Sequence, residues 1–251
     1  MTHPPQTLGV ILARGGSAGL AGKHLLELLG KPVIDYTFDH ARNASLLTRT
    51  VVSTDCPRIK FRARAAGFDV IDRPDELATS DASVQSVLLH AMHSVEAADT
   101  TFRAQAIVTL YGNVPVRPAG VIDQSLRLLF EVGCDSVRSF SPVGKWHPAW
   151  MARLDGNKVE PLQPGSIHRR QDLTPLYLHD GAVVAVSRSS MLRGEASPDD
   201  PHAFFGLDRR GVVVEPGSAI EIDHRRDLFW AEAALRDTQQ SEAADLLRSV
   251  V

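Results

Sequence analysis

The chain has 251 residues, of which 43% are hydrophobic, 23% charged and 6% aromatic, a balance that excludes disordered, collagen-like and coiled-coil chains. Lys plus Arg number 27 against 30 Asp plus Glu, so the formal net charge of -3 lacks the broad basic excess with which a protein grips nucleic acid. Any anion site must therefore be local.

Residues 8–13 form a short apolar, partly β-branched run that ends at Arg14-Gly15-Gly16, which predicts a buried first strand feeding a loop. Residues 32–44 open on a helix-starting proline and carry Val33, Ile34, Tyr36, Thr37, His40 and Ala41 at helical spacing. Residues 50–53 read as the next buried strand, 59–66 as helix, 69–71 as extended, 83–97 as helix and 106–110 as strand. Residues 121–131 continue as helix and 135–140 as extended chain. This alternation predicts an α/β fold, a mostly parallel sheet covered by helices on both faces. After Pro142 the texture changes: Trp146, His147, Trp150, Met151 and Tyr177 crowd a proline-containing stretch of short amphipathic pieces, read as an inserted or dimer-forming lobe. The helix-and-strand grammar returns at 182–186 and 212–214, and a last helix is expected over 225–237 beside an acidic loop.

Cys56 and Cys134 stand 78 positions apart with no second cysteine or histidine at metal-ligand spacing, which fits a reduced, cytoplasmic setting rather than a zinc or disulfide framework. Residues 1–6 lack a charged patch followed by an apolar stretch, and no apolar run reaches the ~18 residues of a membrane span, so neither export signal nor membrane anchor is expected.

Ligands of open parallel sheets bind outside the carboxyl ends of the strands, which directs attention to residues 14–24. Gly15, Gly16, Gly19 and Gly22 allow backbone N–H groups to approach an anion, and Arg14 and Lys23 add positive charge. A Walker A loop would need Gly at Ser17 and Ser or Thr at His24, and a dinucleotide fingerprint ending at Gly22 would also need Gly at Ser17, so both assignments fail. Phosphate binding by a different glycine loop is the better reading; a glycine-rich turn with two solvated cations is the alternative.

The pattern A-R-G-G-S-x-G-x-x-G-K after a strand resembles the acylneuraminate cytidylyltransferases, or CMP-sialic acid synthetases. Further segments agree in order: Val51-Val52-Ser53-Thr54-Asp55, Arg73-Pro74-Asp75-Glu76-Leu77-Ala78, Arg170-Gln171-Asp172-Leu173, Asp180-Gly181-Ala182, and Ala219-Ile220-Glu221-Ile222-Asp223 followed by Asp227-Leu228. The likeness runs collinearly over roughly residues 8–236. The resemblance implies a three-layer sheet of the Rossmann-like nucleotide-diphospho-sugar transferase type, a single domain over 1–251 with a dimerising insertion at about 142–181. It implies transfer of CMP from CTP to the anomeric hydroxyl of a nonulosonic acid, with loss of pyrophosphate, by a cytoplasmic homodimer that uses Mg2+.

Carried over residue by residue, the resemblance places Leu12, Ala13, Arg14, Gly15, Gly16, Ser17, Lys23, His24 and Arg73 at the nucleotide, with Arg14 and Lys23 on the triphosphate. Each of these two cations can stabilise charge developing on the transferring and leaving phosphates. Glu221 and Asp223 are two apart in an extended-looking run, so their side chains share a face while Ile220 and Ile222 turn to the core. Alternate acids on a strand often just face water; the resemblance favours a magnesium held with phosphate oxygens, and makes Asp223 catalytic alongside Arg14 and Lys23. Arg170 is the expected fork for the sugar carboxylate, assisted by Gln171, with Tyr111, Asn113 and Asp180 completing the sugar side.

The departures fall in the pocket. Ala18 replaces a lysine of the family loop, and His24 replaces an asparagine, where it can hydrogen-bond the nucleotide or be partly cationic. The segment 110–117 differs from L-Q-P-T-S-P-L-R, and its Tyr111-Gly112-Asn113-Val114-Pro115 is similar to the Q-G-D-E-P of Kdo cytidylyltransferases, with a neutral Asn113 that can offer a metal only a carbonyl oxygen. An acid at Asp180 suits an amine or extra hydroxyl on the sugar, hence a modified nonulosonic acid or another 2-keto sugar acid. The alternatives are a cytidylyltransferase for Kdo-like or amino sugar acids and a noncatalytic nucleotide- or sugar-binding homologue.

Overall fold

A computed structural model describes residues 4–16, 19–163, 165 and 167–249, with side chains to Ser241. The first apolar run becomes β1 (Thr7–Leu12), buried at every position. Two-residue strands β2 (Glu27–Leu28) and β3 (Lys31–Pro32) make a small hairpin before helix α1 (Val33–Arg42). The chain then alternates through β4 (Arg49–Thr54), α2 (Pro57–Ala65), β5 (Asp69–Asp72), α3 (Val84–Ala98), β6 (Ala106–Tyr111), α4 (Val121–Val132) and β7 (Ser136–Pro142). Strands β8 (Ala152–Asp155) and β9 (Lys158–Pro161) pair only with each other. Strand β10 (Tyr177–Ser187), α5 (Arg188–Glu195), β11 (Arg209–Val213) and α6 (Arg225–Ser249) complete the chain.

Seven strands form one sheet in the order β11-β7-β10-β6-β1-β4-β5. Only β10 runs against its neighbours; every other pair in the sheet is parallel. Because the central strands β1 and β6 are covered on both sides, successive side chains enter opposite cores and these strands read as continuous apolar runs. In β1, Leu8, Val10 and Leu12 pack with Val87, Leu88 and Met92 of α3, while Ile11 packs with Ile34 and Phe38 of α1 and Leu126 of α4. A third cluster seats α6 on the edge of the molecule through Tyr36, Val116, Ile222 and Ala231.

Every helix and sheet strand expected from the sequence is present, and the differences lie at boundaries. The final helix runs past Asp237 to Ser249. Strand β10 begins at Tyr177 rather than near 182, because its ladder with β7 continues beyond the sheet to pair Tyr177 with Pro142, across an irregularity between His179 and Val184. The segment that leaves the sheet is thus 143–176, a hairpin and short turns with exposed Trp146, Leu154 and Val159. The acidic run at 219–223 is extended but joins no strand; one bridge from Ile220 to Val116 anchors it. Among the described residues no helix is long and apolar enough to cross a membrane.

Candidate active site

Strands β1, β4 and β6 deliver three loops to one end of the sheet, and hydrogen bonds between them fix the floor of a cleft. Ala13 N donates to Ser53 O at 3.2 Å and Gly112 N to Leu12 O at 3.0 Å. Gly15 N donates to Asp55 Oδ1 at 2.7 Å, so the aspartate that ends β4's segment holds the first turn of the glycine loop. The cleft, about 230 Å³, is lined by Leu12, Arg14, Lys23, His24, Arg73, Tyr111, Asn113 and Glu221, closed on one side by the start of α3. Ala13, Gly15 and Gly16 continue the loop beside it, and Ser17 and Ala18 lie outside the described residues. A roomier cavity of about 690 Å³ between α1, α4 and α6 includes none of the residues expected at the nucleotide, the sugar or the metal, and its size alone carries no chemistry.

The acidic edge meets the glycine loop directly. Lys23 Nζ lies 2.7 Å from Asp223 Oδ1, although the two residues are 200 positions apart. Gly19 makes the approach possible: a Cβ there would sit 2.7 Å from the Asp223 carbonyl oxygen, closer than any side chain tolerates. Ile222 N donates to Asn113 O at 2.8 Å and Ile220 N to Val116 O at 3.1 Å, holding the acidic run along the 113–116 loop. At the start of α6, Asp227 accepts from Asp223 N at 2.8 Å and His224 N at 2.6 Å, which pins the turn after the acid and satisfies donors the helix leaves open. Ile222 is buried, and Glu221 and Asp223 both turn to Asn113, whose Nδ2 lies 3.0 Å from Glu221 Oε1 and 3.4 Å from Asp223 Oδ1.

This pairing bears on a cation. Among the described residues no group of three or more His, Cys, Asp or Glu side chains is placed to enclose a metal ion. Glu221 and Asp223 nevertheless converge, which suits an ion that takes one or two carboxylates and completes its shell from phosphate and water, as magnesium does. The amide of Asn113 faces both carboxylates with its nitrogen, so it acts here as a donor to the acids and not as a carbonyl ligand.

Charge in the cleft is uneven. Burial pushes the His24 ring down to about 3, with the Lys23 and Arg73 charges adding to the effect and a hydrogen bond to the Arg14 backbone opposing it, so His24 is neutral near pH 7 and cannot replace the charge of the family lysine. Its usual value is 6.5, so the unfolded chain takes up a proton that the folded chain refuses as pH falls. Stability from this source is fully present above about pH 6.5 and declines steadily toward pH 3. A His24→Asn variant should therefore show a flatter decline in unfolding midpoint between pH 7 and pH 5; an unchanged slope would contradict a buried neutral ring.

Arg73 is neither a helix cap nor a surface ion pair. It is buried and donates to Ser53 through Nε to Oγ at 3.1 Å and Nη2 to the carbonyl at 2.8 Å. Burial lowers it to about 10, with Asp55 opposing, which leaves it cationic near pH 7. Burial and the Glu221 charge raise Tyr111 to about 12, so its hydroxyl keeps its proton.

The residues expected at the sugar divide into two groups. Tyr111 and Asn113 line the cleft, and Asp180 lies just behind it, next to Gly181, whose φ of 78° forms the irregularity in β10; a Cβ there would sit 3.5 Å from Glu221 Oε2. The Asp180 carboxylate is occupied, accepting from Ser139 Oγ, from Ser141 Oγ at 3.1 Å and from Ala182 N at 3.0 Å. Arg117 supports the same turn, donating from Nε to Ala182 O at 2.6 Å. Arg170 and Gln171 are exposed on a short turn of the 143–176 segment and do not line the cleft; the Arg170 guanidinium rests beside Gly144. His147 is buried in that segment, accepting from Ala149 N at Nδ1 and pairing through Nε2 with Thr174 O, a structural role.

Sequence reasoning passed over Asp55 and Asp227 as residues with work at the site, and it read Gly19 as an anion-loop glycine, not as the point where the acidic edge packs. Asp55 closes the V-V-S-T-D run, and Asp227 stands four beyond Asp223 where a helix begins, so each carried a signal.

A family model described as cytidylyltransferase matches residues 8–160. The N-acylneuraminate cytidylyltransferase of Escherichia coli O18:K1:H7 is 36% identical over 254 residues, covering 97% of this chain and 55% of that protein. That of Streptococcus agalactiae serotype V is 31% identical over 224 residues, covering 88% of this chain and 51% of that protein, so the chain spans about half the length of these relatives. The CMP-N,N'-diacetyllegionaminic acid synthase of Legionella pneumophila is 28% identical over 197 residues, covering 77% and 83%. Among solved structures, a CMP:2-keto-3-deoxy-manno-octonic acid synthetase complexed with CTP superposes with a TM-score of 0.71 at 20% identity, covering 93% of this chain and 99% of that one, which is a likeness of fold.

Proposed function

The chain belongs to the cytidylyltransferase family, and from that premise we propose that it transfers CMP from CTP to the anomeric hydroxyl of a sialic-acid-like sugar acid. The observation that carries this reading is the 2.7 Å contact between Lys23 and Asp223, which joins the phosphate-cradling loop to the acidic edge in one cleft. The relatives named for N-acylneuraminate and N,N'-diacetyllegionaminic acid support a nonulosonic acid as acceptor.

On this reading CTP lies across the carboxyl ends of the strands, near the backbone of residues 12–16, with Arg73 close to the nucleotide. Arg14 and Lys23 meet the phosphates; Lys23 moves from Asp223 to the triphosphate when the nucleotide enters. Glu221 and Asp223 would hold Mg2+, which supplies neutralisation of phosphate charge when bound. The sugar hydroxyl oxygen bonds to the α-phosphorus, the bond from that phosphorus to the bridging oxygen breaks, pyrophosphate leaves with the electron pair, and the hydroxyl proton passes to solvent. The chain's contribution is alignment and charge, without a covalent nucleophile. Tyr111, Asn113 and the Asp180 turn shape the sugar end, and Arg170 with Gln171 would reach a sugar from the 143–176 segment of a second copy. The exposed Trp146, Leu154 and Val159 of that segment are the surface we assign to a homodimer. Free thiols at Cys56 and Cys134 fit a reducing, cytoplasmic setting.

A matrix of nucleotides against sugar acids, read as magnesium-dependent pyrophosphate release, tests the proposal. Release is expected with CTP and a nonulosonic acid. Release only with a Kdo-like acid or another nucleotide would redirect the substrate, and ligand binding without release would mark a noncatalytic protein.

A further inference from the structure

Helix α6 has an inner and an outer face. Leu228, Ala231, Ala234 and Leu235 turn to the body of the molecule, in the cluster that holds Tyr36, Val116 and Ile222. Each helical residue advances by about 100°, so Arg226, Phe229, Trp230, Ala233, Asp237 and Gln240 fall on one stripe on the side away from that cluster. All six are exposed, Phe229 by 65% and Trp230 by 59%. Beyond them the helix continues without apolar cover, because every residue from Arg236 to Ser241 is exposed. A helix draws most of its stability from a packed apolar face, and on this side none is packed among the described residues.

The stripe has a centre and two unlike ends. Arg226, Ala233 and Gln240 recur at every seventh position, the spacing of a coiled-coil seam, with the aromatic pair between the first two and Arg236 and Asp237 between the last two. Arg226 lies over the Trp230 ring at 5.7 Å and, like Asp237, has no ion-pair partner among the described residues. Arg236 is held by Glu232 at 2.8 Å. Suppose a second α6 lies antiparallel on the first, about a two-fold axis at Ala233. The small side chain lets the two helices approach, Arg236 of each copy comes to Trp230 of the other, and Asp237 comes between Phe229 and Arg226. Opposite charges then meet, and each contact occurs twice, as an isologous interface requires. A parallel pair would instead set Arg226 against Arg226 and Asp237 against Asp237. An anionic membrane is a poorer occupant, because Glu232 and Asp237 would face it together with the arginines.

We propose that the outer stripe of α6 is a self-association face, on which a second copy of this chain lies antiparallel with Ala233 at the crossing. The face is separate from the one assigned to a homodimer at 143–176, and it does not depend on the catalytic reading. With both in use, assembly goes beyond two copies. A few turns of helix bury less than the roughly 1,600 Å² of a standard interface, so the association is expected at micromolar concentration.

Sedimentation and cross-linking test it on the full chain. Wild type, Phe229→Ser with Trp230→Ser, Trp146→Ser with Leu154→Ser, and all four changes together are compared from about 1 to 100 µM. The α6 pair of changes should raise the dissociation constant of one association step by at least about 100-fold, and that step should persist when only Trp146 and Leu154 are changed. Unfolding midpoints should stay near that of wild type, because all four side chains are exposed. Should the α6 pair fail to fold, charge reversal decides: Arg226→Glu should weaken the step about 10-fold, and Asp237→Arg added to it should restore it. Cysteines then report the geometry, in a Cys56→Ser background that leaves only the buried Cys134. Ala233→Cys should form a disulfide with its own copy under oxidised glutathione, whereas Arg226→Cys and Gln240→Cys should link only when the two proteins are mixed. Self-linking of Arg226→Cys alone would mean a parallel pair and overturn the proposal. An association unchanged by the α6 and charge changes, wild type monomeric throughout, or no Ala233→Cys disulfide would overturn it too, and leave the stripe to a different partner.

Discussion

Replacing Asp223 by alanine should reduce pyrophosphate release by about 10²- to 10³-fold or more, the scale on which removal of one preorganised charge from a phosphoryl-transfer or oxyanion site is felt. Two losses coincide in this variant. The acid that would share a magnesium is gone, and Lys23 loses the partner that holds its ammonium at 2.7 Å in a sheltered position. The fold should survive, because the Asp223 side chain is half-exposed and its segment is held by backbone bonds from Ile220 and Ile222. An unfolding midpoint near that of wild type, together with lost turnover, is the expected pair of results. Asp223→Asn keeps the shape and removes the charge, and should be nearly as inactive. Near-normal turnover in either variant would take Asp223 out of the mechanism.

The largest effect on stability is expected far from the cleft, at Glu96. This carboxylate, 6% exposed, accepts from Arg188 through both terminal nitrogens, from Arg103 Nη1 at 2.8 Å and from Ala104 N at 3.1 Å. Burial alone would raise its pKa, but the Arg188 hydrogen bond, the Arg188 charge and the remaining donors override that and leave it below the usual 4.5. Glu96→Gln would strand the Arg188 guanidinium, at 18% exposure, without its counter-charge, a change of about 3 kcal/mol or more. For a chain of this length that lowers the unfolding midpoint by roughly 6–12 °C. The sign with pH follows: with a folded pKa below the unfolded one, the stabilisation is fully present above about pH 4.5 and is lost as pH falls through the folded value. A midpoint within about 1 °C of wild type at pH 7 would refute this account of the cluster.

The sequence was informative where burial imposes a pattern. Strands covered on both faces must be apolar throughout, so 8–13, 50–53 and 106–110 were readable as strands, and the glycine loop after the first one marked the cleft. The meeting of Lys23 with the acidic edge followed from motif order within a resembling family. Other features depend on partners that no local pattern names. Asp180 looks like a free acid in the chain, yet Ser139 and Ser141 on the neighbouring strand take up its oxygens. His24 looks titratable, and only its burial among three cations makes it neutral. The length of β10 is decided by how far β7 extends to pair with it.

The contact between positions 23 and 223 also governs when the protein can work. A ribosome releases the glycine loop early, but its counterpart emerges only after another 200 residues have been added. Until then the loop's cations have no acid to hold them, and the cleft lacks one wall. The cleft is therefore complete only when residues 219–227 dock against the 113–116 loop and α6 settles over Tyr36 and Val116.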